Sequence, residues 1–334
     1  MNAPPKAAAD TAAVYAAALR DCVLAVPWDA DRLFFTGKDA LDLLHRLTTQ
    51  DVRSLQPGTG SAAVFVTAKG RILDLVTLHR LEDRLLCLTS PGRAQAVAAY
   101  VERYTFGEEV RIQQGGESHA LLGLFGARAG ERVADLFGAQ ASGRPLHHPI
   151  AVTLSGAPGI LLRTFPLGGD SYLVFADAPD LPLLKQGILE RIPGLPAADP
   201  VSLELLRIES GLPGPGRELT EDHNPWEACL DDAISLNKGC YVGQEVIARL
   251  NTYDKVARRL VRLRLDGDVP QPGARLESQG GEPVGTLTSA AAAPGGSRVA
   301  ALGYVRNEAL IEGATLAVID GTRRLQATLL GRAR

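Results

Sequence analysis

The stretch NKGCYVGQEVIARL, residues 237–250, brings an ammonium, a thiol, an amide and a carboxylate close together in the chain as Lys238, Cys240, Gln244 and Glu245. A cysteine beside a cation and just ahead of a helix N-terminus is held toward the thiolate, the form that acts as nucleophile or redox centre. Gly239 and Gly243 supply backbone angles closed to other residues. From Gly243 onward, Gln244, Glu245, Val246, Ile247, Ala248 and Leu250 read as a short amphipathic helix with an acidic first turn. The spacing predicts an activated Cys240 with a lowered pKa. The same residues equally describe a small packed hydrophobe under a tight turn.

Two carboxylates stand out elsewhere. Glu209 ends the apolar helical pattern PVSLELLRIESG, just before Gly211. Such a carboxylate can accept paired N–H donors from a heterocycle such as a pterin or guanine, or can form an ion pair with Arg207 or Arg217. Asp74, in KGRILDLV, alternates with Ile72 and Val76 on one strand face, which makes it either buried and functional or part of a rim.

Other features carry less chemistry. GLPGPGREL lacks the GK[ST] ending of a phosphate loop and reads as a tight loop after a helix. His147 and His148 adjoin Pro149 and read as a surface loop, and His223 reads as a capping or surface residue. Residues 238–266 hold seven basic groups against three acidic ones, a patch suited to a polyanionic tail or to a solvated domain junction.

Composition narrows the function classes. The chain has 334 residues, 46% hydrophobic and 22% charged, which predicts a globular protein of two or three domains. A net charge of -3 provides no global field for nucleic acid or an anionic membrane. Cys22, Cys87, Cys229 and Cys240 contain no CxxC pair, which argues against a metal or four-thiolate cluster site and against a disulfide framework. A reducing cytoplasm is expected. The N-terminus shows neither a signal core nor a transit pattern, and the longest uncharged run, 145–162, is broken by prolines and glycines.

The elements that must position these residues alternate through the first 190 positions. DRLFFTG, SAAVFVTA, RILDLVTLHR and RLLCLTS read as strands, Thr36 as the cap of a helix KDALDLLHRL, and PGRAQAVAAYVERY as a helix opened by Pro91. HALLGLFG, residues near 150–154, 159–165 and 171–176 follow as strands, with helices at RAGERVADLFG and 180–191. After about residue 256 short strands dominate, with a hairpin loop at 290–296, and predict a small β-barrel or sandwich. The expected fold class is α+β, with a flexible N-terminal tail and helix at 1–22, an α+β region of two intertwined subdomains at 23–255, and a β-barrel at 256–334.

Several segments in order carry a family resemblance: TGKDA with LTTQDV, FVTAKGRILDL, RIESGLPGPGRELTEDHNPWEACLDDAIS and NKGCYVGQEVIARL. The chain resembles the YgfZ group of folate-binding proteins, which is related to the glycine-cleavage T-protein, an aminomethyltransferase. The resemblance runs from about residue 23 to 330. It implies a three-domain ring of two interwoven α+β domains plus a C-terminal β-barrel, with tetrahydrofolate or a one-carbon derivative as cofactor. It implies a catalytic part for Cys240, Lys238 and Asp74, and cofactor contacts from Glu209, Arg207, Tyr241, Gln244 and Glu245, with no metal site. The role it implies is iron–sulfur cluster assembly or repair in client enzymes, tRNA-modifying ones included, through contact with those clients or with assembly proteins but not with nucleic acid or membrane. Folate-dependent aminomethyl or methyl transfer is the alternative. Against true aminomethyltransferases, Leu75 stands where a second acidic residue is usual, Gln244 where an arginine is common, and Gln50 where asparagine is frequent.

Overall fold

The computed structural model describes residues 6–296 and 298–333, so the first residues of the expected N-terminal tail lie outside the described residues. Helix α1 (Lys6–Arg20) leads into β1 (Val23–Ala25) and β2 (Asp31–Thr36), followed by α2 (Ala40–Leu47). A meander follows, β3 (Gly60–Val66), β4 (Ile72–Arg80) and β5 (Leu85–Thr89), then α3 (Ala94–Arg103) and β6 (Arg111–Gln114). Next come β7 (His119–Phe125), α4 (Ala129–Phe137), α5 (Ala139–Ser142), β8 (Pro149–Leu154), β9 (Ala157–Arg163), β10 (Ser171–Asp177) and α6 (Leu181–Arg191). Helices α7 (Pro200–Glu209) and α8 (Gln244–Thr252) precede β11 (Arg258–Asp266), β12 (Arg275–Glu277), β13 (Pro283–Ala292), β14 (Arg298–Arg306), β15 (Thr315–Asp320) and β16 (Arg323–Arg332). Among the described residues no helix is long and apolar enough to cross a membrane.

Two antiparallel five-stranded sheets form one compact unit, residues 17–198 with 232–244. One sheet has the order β3-β4-β5-β2-β6, the other β1-β7-β10-β9-β8. The chain starts in the second sheet with β1, crosses to build the whole of the first, and returns with β7 to pair with β1, so the first sheet is inserted between two strands of the second. Strand β5 is buried at every position and β10 at all but Asp177, so side chains on both faces of these central strands are covered. Leu33, Phe35, Phe65 and Leu78 meet Leu43 and Leu44 of α2 on one sheet, and Leu122, Leu124, Tyr172 and Val174 meet Val133 and Ile188 of the helices on the other.

The second unit comprises, among the described residues, 6–16, 199–231 and 245–333. Its strands close a six-stranded barrel in the order β11-β14-β13-β12-β15-β16. Leu263, Leu276, Leu287, Val299, Val318 and Leu329 fill the interior. Register shifts at Arg262/Leu263, Leu276/Glu277 and Leu287/Ser289 supply the bulges that let so small a sheet curl shut.

Local differences from the sequence reading have local causes. Helix α2 begins at Ala40, capped in position by Asp39, whose carboxylate turns to the Glu109 backbone N–H at 2.8 Å instead of to the helix. Thr36 stays in β2. Helix α3 begins at Ala94, because Pro91 and Gly92 form a turn, with Gly92 at φ +73°. The late hairpin turns after Ala292, since β13 continues through the alanine run. His147 is buried against Phe165, ring centroids 4.8 Å apart, with its carbonyl 2.7 Å from His79 Nδ1. His223 is buried too, stacked on the Tyr304 ring at 3.6 Å.

Candidate functional site

In the first unit the segment 232–244 returns to lie on α2 and the loop that follows it. Ser235 N–H donates to the Thr49 carbonyl at 2.9 Å, Thr49 Oγ1 to the Ala233 carbonyl at 2.6 Å, and Gln50 Nε2 to the Asp232 carbonyl at 2.9 Å. Lys238 fixes the segment from the other side. Its buried ammonium donates to the carbonyls of His45, Thr48 and Gln50, the latter two at 2.7 Å. His45 and Thr48 sit at the C-terminal end of α2, where orphan carbonyls and the negative end of the helix dipole favour a cation. Burial pulls the Lys238 pKa down to about 8, so the ammonium is still charged at neutral pH. The Tyr241 ring covers it at 4.8 Å, a cation–π contact, and burial pushes that phenol up to about 12.

Cys240 is exposed, whereas Cys22, Cys87 and Cys229 are buried. Burial raises the thiols of Cys22 and Cys229 to about 12 and about 11, and lifts Cys87 well above its usual value. Among the described residues no hydrogen bond joins Lys238 Nζ to Cys240 Sγ; the ammonium is engaged by its carbonyls. The two expected glycines differ. Gly243 has φ +81°, and a Cβ there would lie 2.6 Å from the Thr67 carbonyl oxygen, so only glycine fits. Gly239 has no left-handed backbone and would bring a Cβ no nearer than 3.8 Å to His45 Nε2, so its lack of a side chain is not required by its backbone. Gln244 opens α8, its N–H donating to the Tyr241 carbonyl at 3.1 Å, and Glu245 is exposed in the first turn.

Asp74 lies on the packed face of β4 between Ile72 and Val76, 1% exposed. Its Oδ2 accepts the Ser90 N–H at 3.0 Å. Burial raises its pKa to about 6 against the opposing pull of Ser90. A carboxylate so placed is ionised at neutral pH but costly to keep so, which is the condition of a proton acceptor.

In the second unit Asp199 caps α7, accepting the Val201 and Ser202 N–H groups at 3.0 Å each, with Pro200 at the first helical position. Glu209 at the other end of α7 takes neither of its expected arginine partners. Its Oε1 accepts from Arg298 Nη2 at 2.6 Å and its Oε2 from Tyr15 Oη at 2.8 Å, and Arg298 also reaches Tyr15 Oη at 3.0 Å. Burial first, and the Glu209 carboxylate second, hold the Tyr15 phenol up at about 12. Arg207 is engaged inside, by Glu204 at 2.8 Å, by Glu218 at 3.0 Å and by Ser289 at 2.9 Å. Glu218 is fully buried and also accepts the Gly214 N–H at 2.7 Å, which fastens the GLPGPGREL loop as structure. Tyr15 and Arg298 carry no mark of function in the sequence: one is an aromatic in an alanine-rich helix, the other the first residue of a barrel strand.

Comparison with known proteins places these features in a family. Residues 29–238 match the GCVT N-terminal domain, and residues 258–333 the glycine cleavage T-protein C-terminal barrel domain. A chloroplastic protein of Arabidopsis thaliana, provisionally named a transferase, is 32% identical over 288 residues, 86% of this chain and 66% of that protein. The aminomethyltransferase of Symbiobacterium thermophilum is 30% identical over 88% of this chain and 81% of its own, and one from Thermus thermophilus is 30% identical over 82% and 76%. The crystal structure of glycine cleavage system aminomethyltransferase T from Bartonella henselae superposes with a TM-score of 0.81 over 96% of this chain and 88% of that one, at 22% identity. That likeness concerns the fold: two α+β domains and a closed six-stranded barrel.

Proposed function

The chain belongs to the glycine-cleavage T-protein family, and on that premise we propose that it binds tetrahydrofolate, or a one-carbon derivative, and works through the Cys240 thiol as a cytoplasmic accessory factor for iron–sulfur clusters in client enzymes. The observation that carries this reading is the exposure of Cys240 alone among the four cysteines, on a loop fastened by Lys238 and Gly243. The resemblance of the KGCYVGQE motif to that of the YgfZ group supports this reading.

The residues around Glu209 fit a pterin. An ionised carboxylate offers about four lone-pair sites. Tyr15 and Arg298 use one on each oxygen, which leaves each oxygen able to accept one N–H of a paired donor edge. Tyr15 and Arg298 orient the carboxylate and Glu209 binds. Bound folate would supply a one-carbon carrier. Cys240 supplies a thiol that can accept a one-carbon unit, contact a cluster sulfur or be reversibly oxidised, and with a single exposed thiol the chain is suited to act on a partner's cluster instead of holding one.

Aminomethyl transfer is the second reading, favoured by the buried Asp74 carboxyl with its pKa near 6 and by the similarity to aminomethyltransferases. Product formation from tetrahydrofolate and an aminomethyl donor separates the two. A transferase retains turnover in Cys240→Ala and loses it in Asp74→Asn. The accessory reading expects no turnover by the native protein, and robust turnover would overturn it.

A further inference from the structure

Arg262 and Arg264 stand two residues apart on β11, on the face opposite Val261, Leu263 and Leu265, which fill the barrel. Ala300 lies directly opposite Arg264 in the register with β14, and Arg298 is two residues further along that strand. Together with the end of α7 (Ile208 and Glu209) and Leu330 of β16, they line a cavity of about 160 Å³.

The charge in this cavity is uneven. Glu209 and Arg298 neutralise each other at 2.6 Å. Arg262 and Arg264 form no ion pair among the described residues, so two positive charges face the cavity without a protein counter-ion. A guanidinium is a planar fork that matches a carboxylate bidentately and is weakly enough hydrated to be covered by a ligand. Two such forks, about 7 Å apart at roughly 3.3 Å of rise per residue, suit a compact acid better than an extended polyanion. Ile208, Ala300 and Leu330 give the cavity an aliphatic surface, so the acid should carry a short apolar body.

We propose that Arg262 and Arg264 form a carboxylate-binding subsite beside Glu209, which takes the acidic end of a small molecule whose apolar part lies against Ala300 and Leu330. The carboxylate has two possible sources. It is either the acidic tail of the ligand whose heterocycle engages Glu209, a case that rests on the folate reading above, or a separate free acid.

Calorimetry with three ligands tests this on the full chain: tetrahydrofolate, 6-methyltetrahydropterin (which keeps the heterocycle but carries no carboxylate) and glutarate. The comparison is between native protein and the double variant Arg262→Gln/Arg264→Gln, with unchanged thermal unfolding as the folding control. An at least tenfold loss of tetrahydrofolate affinity with 6-methyltetrahydropterin unaffected sustains the proposal and assigns the tail. Glutarate binding to tetrahydrofolate-saturated native protein, lost in the double variant, sustains it and assigns a separate acid. Equal losses for both pterin compounds would mean that the arginines act only on the shape of the Glu209 site, and would overturn it, as would unchanged affinity for all three ligands. If the native protein binds neither pterin compound, the folate reading fails and glutarate alone decides: binding lost in the double variant sustains the subsite, and absence of binding overturns it.

Discussion

The phenol of Tyr15 donates to Glu209 Oε2 at 2.8 Å, joining residues 194 positions apart in the chain. With Arg298 on the other oxygen, this contact holds the carboxylate in one orientation without exhausting its acceptor sites. Two consequences can be measured. Glu209→Ala should weaken tetrahydrofolate binding at least tenfold, because a lost charge-assisted hydrogen-bond pair costs roughly 1.5–3 kcal/mol. Tyr15→Phe, which leaves the acceptor but frees its rotamer, should weaken binding only about two- to fivefold, under roughly 1 kcal/mol. Calorimetric affinities unchanged in Glu209→Ala would remove that residue from the site.

The cysteines should separate cleanly by accessibility. Brief iodoacetamide treatment near neutral pH, followed by peptide mapping, should label Cys240 first and leave Cys22, Cys87 and Cys229 unmodified until the chain unfolds. Burial disfavours the thiolate at those three positions as well as shielding them. Comparable labelling at all four sites under native conditions would contradict the arrangement.

Lys238 should matter to stability before it matters to reactivity. Lys238→Met leaves the His45, Thr48 and Gln50 carbonyls without their shared donor. Buried groups deprived of a charged partner cost roughly 1–3 kcal/mol. Denaturant unfolding should therefore show a loss of about 2 kcal/mol or more, and the Cys240 loop should become more susceptible to proteolysis. A change below roughly 0.5 kcal/mol, the size of an ordinary surface substitution, would show that the ammonium does not fasten the segment.

Asp74 should give the stability curve a pH dependence of definite sign. Its folded pKa of about 6 lies above the ordinary 3.8, so the folded state holds its proton more tightly than the unfolded chain. That contribution is fully present below about pH 4 and is lost as pH rises through about 6. Asp74→Asn should remove this slope and stabilise the protein at pH 7 by about 2–3 kcal/mol, at 1.36 kcal/mol per unit. Parallel pH–stability profiles for native and Asp74→Asn protein would show that the carboxyl is not held protonated by its surroundings.

What the sequence discloses and what it hides follow from range. The alternation that puts Ile72, Asp74 and Val76 on one face is local, and the structure buries all three. The turn at Gly243 and the helix after it are legible for the same reason, since φ and period are properties of neighbouring residues. Proximity in sequence pairs Lys238 with Cys240, two positions away, but its acceptors lie 188 to 193 positions earlier in the chain, and no local pattern announces them. The companions of Glu209 are likewise 194 and 89 positions distant, so Arg207 and Arg217, its neighbours in sequence, are the natural but mistaken ion-pair partners. His147 and His223 read as loop residues because their neighbours are prolines and polar groups. Their rings are buried by Phe165 and Tyr304, which the chain reaches only later.

The central claim is that the Cys240 thiol, and not the Asp74 carboxyl, carries the function. The most direct test is complementation of a strain lacking its own copy of this gene, read out as the activities of several iron–sulfur enzymes in extracts. The account predicts that Asp74→Asn restores those activities and that Cys240→Ala, expressed to the same level, does not. Full restoration by Cys240→Ala would contradict it.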